Sequence, residues 1–225
     1  MKKKILTLLV AMMFLVSCAP AEPEATPMPA TPTSNNMDTT ALWMELREEQ
    51  FGLGIAIPCW WKVEPMKEKG DASSMLLRNF DDAFFAEHSS GGDWVGGIAP
   101  NETIAMNITV STELDAGLAI TEAFSTIMDS SRFVISNTQD KKLGHTNYTI
   151  ITLGNNTGDN RPGSIVFATM PEPGTLVIFN TTPVAAILSN DAQAILISFA
   201  GSPDEAILIP EIAPAPPLID GSCPL

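Results

Sequence analysis

The chain has 225 residues, 45% of them apolar, enough for one ordinary domain with a real core plus flanking segments. Its net charge is −14; Lys2, Lys3 and Lys4 are the only charges in residues 1–17, so the remainder carries −17. So acidic a surface repels phosphate backbones and anionic headgroups, which argues against a nucleic-acid partner and against membrane attachment through basic residues.

Residues 1–17 read as a targeting segment. Lys2–Lys4 form a positive start, and residues 5–16 are an apolar run too short to span a bilayer. Leu15-Val16-Ser17-Cys18 follows and resembles the bacterial lipobox. The resemblance implies that Cys18 becomes the new N-terminus and carries a thioether-linked diacylglycerol. Two acyl chains give stable anchoring at roughly 0.8 kcal/mol per buried CH₂. The alternative is an ordinary secretory signal cut after Ala19 or Ala21. The lipobox reading places the chain in the bacterial cell envelope, lipid-anchored on the extracytoplasmic face of the membrane.

Residues 18–41 hold Pro20, Pro23, Pro27, Pro29 and Pro32 among small polar residues and read as a disordered tether. At about 3 Å per residue it would reach roughly 60 Å. A folded domain is expected over 42–203, with a proline-rich wrap over 204–225.

Residues 42–50 fit either a short helix or a first strand. Residues 51–57 alternate Phe51, Leu53, Ile55 and Ile57 with Gly52, Gly54 and Ala56, predicting a strand with one large and one small face. Pro58, which has no N–H, stops it. Residues 75–80 predict a second strand, 81–97 an irregular segment, and 105–111 a strand. Residues 115–130 predict a helix. Asp115 is placed as N-cap, and Ile120, Ala123, Phe124, Ile127 and Met128 form one stripe. Residues 133–136 and 145–153 predict paired strands around a turn at 140–144. Residues 164–170 and 175–180 predict a hairpin across Pro171-Glu172-Pro173-Gly174. A short helix capped by Ser189 or Asn190 carries Ala192, Ile195, Leu196 and Phe199; Gly201 and Pro203 end it.

Antiparallel strands with two one-sided helices predict an α+β fold, an antiparallel β-sheet with helices packed on it. The opening aromatic-Gly-x-x-apolar-x-apolar-Pro-x-x-Trp, here Phe51-Gly52, Ile55, Ile57, Pro58 and Trp61, resembles the PsbP-like family. The middle helix, the two hairpins and the closing Ala194-Ile195-Leu196-Ile197-Ser198-Phe199 are similar too. The likeness spans about residues 43–199. It implies a PsbP-like α/β sandwich. It also implies an accessory role, because that family has no common catalytic residues and its members are mostly extrinsic or accessory proteins.

Of three cysteines, Cys18 is assigned to the anchor. Cys59 and Cys223 remain, an even pair in an exported chain, and are expected to form a disulfide. Closing so large a loop is worth up to about 5 kcal/mol in the chain-entropy view. His88 and His145 are the only histidines, and no Cys/His spacing supports zinc, so neither a metal nor another cofactor is expected. The polar run 155–160 is only faintly like a calcium loop. No Gly-x-Ser-x-Gly occurs, and the glycine-rich 89–97 lacks the Gly-Lys-Ser/Thr of a P-loop. No catalytic residue is assigned. Trp94 in that segment, with Trp60, is the candidate ligand-facing pair. The expectation is therefore a lipid-anchored, non-catalytic accessory or binding domain of unknown ligand. The alternatives are a small-ligand module using the Trp94 loop, or a hydrolase with no motif.

Overall fold

The structure is a computed structural model; it describes residues 39–69, 72–88, 102–128, 130–155, 164–219 and 223. The chain divides into two units, residues 1–36 and 37–225, and the description concerns the second. Cys18 and Trp94 lie outside the described residues, as do the tether through residue 38, residues 89–101 and most of the calcium-like run.

The fold is α+β, with every strand pair antiparallel. A 3₁₀ turn leads into β1 (Trp43–Glu48), which pairs with β2 (Leu53–Pro58) as a two-stranded sheet. Seven further strands form the large sheet: β3 (Lys62–Lys69), β4 (Ala72–Arg78), β5 (Ala105–Ser111), β6 (Phe133–Leu143), β7 (Thr146–Asn155), β8 (Ile165–Glu172) and β9 (Thr175–Thr182). Their order is β3-β4-β5-β9-β8-β7-β6. Helices α1 (Asp82–His88), α2 (Ile120–Ile127) and α3 (Asn190–Ser198) complete it.

Period-2 alternation sorts the large sheet's side chains onto two faces. Met75 and Leu77 of β4, Met106 and Ile108 of β5, Tyr148 of β7, Phe167 of β8 and Phe179 of β9 join the main core with β1, β2 and α3. Ile151, Leu153, Val166, Ala168, Leu176 and Ile178 face the other way and pack under Ala123 and Phe124 of α2. A third, small cluster sets Phe85 of α1 against Phe80 and Ala105.

Several sequence expectations are corrected. For residues 42–50, left open between helix and strand, the strand is found, because Met44 and Leu46 alternate with exposed Glu45 and Arg47. β3 was not expected: Pro65 and five charges hide it. Its pairing with β4 slips between Glu64 and Lys67, the kind of edge bulge where proline is tolerated. The segment after residue 81 contains α1, started by the Asp81 carboxylate accepting from Phe84 N at 2.8 Å. α2 begins only at Ile120. Asp115 does not cap it but accepts from Gly117 N at 2.9 Å in the preceding turn, and Glu122 accepts from Ala119 N at 3.1 Å. β6 runs through the polar residues expected to turn, because an outer edge strand needs little apolar surface. The actual turn is Gly144-His145, with Gly144 at φ 56°, in the glycine-first pattern of a two-residue hairpin. The β8–β9 turn likewise narrows to Pro173-Gly174.

The expected wrap is pinned by specific bonds. Trp43 Nε1 donates to Ile212 O at 2.9 Å, Arg47 reaches Pro203 O and Glu205 O at 3.3 and 3.1 Å, and Thr39 Oγ1 donates to Glu211 O at 2.8 Å. Ala215 N donates to Asp191 Oδ1 at 3.0 Å. Cys59 and Cys223 are joined in a disulfide with Cα atoms 5.2 Å apart.

Candidate functional site

An open depression lies at one end of the large sheet, where its two faces meet. Four pieces of chain build it. The β1–β2 turn gives Gln50 and Phe51; the paired ends of β3 and β4 give Glu68, Ala72 and Ser73. The end of β5 and its exit give Val110 through Leu114, and the last turn of α2 gives Thr126 and Ile127. Its volume is about 600 Å³. A second depression of about 160 Å³ shares Gln50, Phe51 and Thr112 and runs on to Glu172 and Thr175.

Register explains the floor. Glu68 stands opposite Ser73, and Ser73 opposite Val110, so the three side chains leave one face in a row. That face is otherwise apolar: Met75 and Leu77 continue it along β4. Ser73 is only 7% exposed. On the far wall Glu113 adopts φ 67°, a left-handed conformation that costs a non-glycine residue about 1–2 kcal/mol. The next residue holds it there, since Leu114 N donates to Gly174 O at 3.1 Å. Gly174, at φ 84°, comes so close that a Cβ on it would lie 2.8 Å from Leu114 O.

The lining combines two carboxylates, serine and threonine hydroxyls and one amide, and among the described residues lining it there is no lysine, arginine or histidine. Such a surface accepts hydrogen bonds and favours positive charge. Among the described residues, no group of three or more His, Cys, Asp or Glu is placed to hold a metal ion.

The residues singled out in the sequence lie elsewhere. Trp60, expected beside a ligand, is 9% exposed and packs in the main core with Trp61, away from the groove lining. The reason is local, since Trp61 N bonds back to Pro58 O at 2.9 Å and turns the chain inward after β2. His145 is exposed at the β6–β7 turn; His88 is exposed and stacks on Phe84 at 4.2 Å. Two buried ionisable groups serve the core. Burial raises Tyr148 far above the usual phenol range while its hydroxyl donates to Leu196 O at 2.7 Å. Burial also pushes the Asp191 carboxyl up, against the bond from Ala215 N. Glu68, Ser73 and Glu113 come from three elements, so no spacing reveals them. One signal was legible: Ser73 is a hydroxyl on the face that Met75 and Leu77 make apolar.

The molecule is thus an α+β domain, a two-layered antiparallel assembly with helices on both sides and an open polar groove at one end. It is similar in structure to cyanobacterial PsbP (CyanoP) from Synechocystis sp. PCC 6803, known in solution. The two share 12% identity over 78% of this chain and 99% of that one, at a TM-score of 0.44. No protein-family profile matches the chain. No curated protein matches it either.

Proposed function

We propose that this chain is a lipid-anchored, extracytoplasmic accessory domain that binds a ligand rather than transforming one. The observation that carries the reading is the Cys59–Cys223 disulfide, which joins residues 164 apart. Disulfides persist in oxidising compartments outside the cytoplasm. Lys2–Lys4, the apolar run and Leu15-Val16-Ser17-Cys18 supply the route there, and the proline-rich residues 18–41 supply the spacer. Binding is placed in the groove beside Glu68 and Glu113, whose acceptor-rich lining suits recognition.

The test is to replace Cys18 by Ala and fractionate the cells. The wild-type chain is expected in the membrane fraction and the variant outside it, both with Cys59 and Cys223 oxidised. A variant that stays as membrane-bound as the wild type, or a wild-type chain with two free thiols, contradicts the reading.

A further inference from the structure

We propose that the groove between the β1–β2 turn, the β3–β4 ends and the end of α2 binds a small alkylammonium ligand of the polyamine class. The proposal rests on the reading of the chain as a binding domain and adds the ligand's chemistry.

Three independent features of the groove agree. The first is Ser73. It is 7% exposed, lies in the groove floor, and among the described residues its hydroxyl finds no hydrogen-bond partner. Its oxygen opens onto the groove rather than being sealed in the core, where it can accept from a ligand's N–H. The second is charge. Glu68 stands directly across from Ser73, and Glu113 lines the same groove from the β5 exit. The third is apolar surface: Phe51, Val110 and Ile127 line the groove between the polar groups. A methylene stem lies well on such surface while its ammonium ends reach carboxylates, and Phe51 offers a ring face to a cation.

Other ligand classes fit less well. An anion meets two carboxylates and, among the described lining residues, no cation. A hard metal ion takes six or more oxygen ligands, whereas among the described residues no three acidic, cysteine or histidine side chains gather. A volume of about 600 Å³ also suits an organic molecule better than an ion. The charge of −17 left after residue 17 draws cations toward the domain at low ionic strength.

The experiment is calorimetric titration of spermidine into the mature lipidated chain in a non-ionic detergent. The variants are Glu68→Gln, Glu113→Asn (asparagine tolerates the left-handed backbone), Ser73→Ala, and Glu211→Gln as an exposed control carrying the same charge change. Saturable one-site binding is expected. Each carboxylate variant should weaken it at least tenfold, Ser73→Ala severalfold, and Glu211→Gln not at all. Equimolar Mg²⁺ should not compete. Absence of saturable binding overturns the proposal. So does equal weakening by Glu211→Gln, or displacement by equimolar Mg²⁺, since either marks a diffuse counter-ion atmosphere. Membrane anchoring is read separately by fractionation, so a failed titration on an anchored protein overturns the ligand assignment and leaves the location standing.

Discussion

The two faces of the large sheet are covered in opposite ways. On one face β1, β2, α3 and residues 203–219 bury a continuous core that includes Phe179 and Leu77, both 0% exposed. On the other, α2 has two turns and covers mainly β7, β8 and β9 with Ala123 and Phe124. The first face is assembled from chain segments about 150 residues apart and closed by a disulfide; the second is covered by a short local helix. Stability is therefore concentrated on the first face. The groove lies at the sheet end where the first face's turn meets the second face's helix, so it is lined by ends of elements rather than by the centre of the core.

The largest effect is expected on the thick side. Phe179 stands edge-on to Tyr148 at 5.9 Å and to Phe199 at 5.2 Å. Phe179→Ala should destabilise by about 4 kcal/mol, read as a fall in denaturant midpoint. Phe124→Ala, 5% exposed on the thin side, should cost about 3 kcal/mol, because a two-turn helix can settle into the space. Equal losses, or a larger loss at Phe124, would break the comparison.

A smaller effect tests what covers β2. A Cβ on Gly54 would lie 2.8 Å from two carbons of Ile207, and one on Gly52 2.7 Å from Pro203. Gly54→Ala should cost about 2 kcal/mol by overpacking. Combining it with Ile207→Ala should give a combined loss smaller than the sum of the two single losses, as expected for residues in contact. Strict additivity would show that the C-terminal segment does not rest on β2.

The smallest effect is electrostatic. Burial raises the Asp191 carboxyl above its ordinary 3.8, so the folded chain holds that proton more tightly than the unfolded chain. Stability from this group is present below pH 3.8 and is lost as pH rises through the raised folded value. Asp191→Asn keeps a carbonyl to accept from Ala215 N and carries no charge. Its stability relative to wild type should therefore improve between acid and neutral pH. A difference that is flat with pH would contradict this.

Much of the thick side was legible in sequence. The alternation through residues 51–57 announced both β2 and its small face, and Ser189 was a readable cap, accepting from Ala192 N at 3.2 Å. What filled the small face was not legible, since Pro203 and Ile207 are some 150 residues away and carry no periodic pattern. β3 was hidden by Pro65 and its charges, β6 by its polar edge. α1 was hidden because adjacent Phe84 and Phe85 make no stripe over seven residues. The groove escaped almost wholly, since it is made by register: only after β3 pairs with β4 does Glu68 stand beside Ser73.

The most direct test of this two-sided account is amide hydrogen exchange on the oxidised chain and on Cys223→Ser. The account predicts lost protection in residues 203–219 and in β1 and β2, where that segment rests, with α2, β7, β8 and β9 unchanged. Protection lost equally in α2 and the large sheet, or unchanged in residues 203–219, would contradict it.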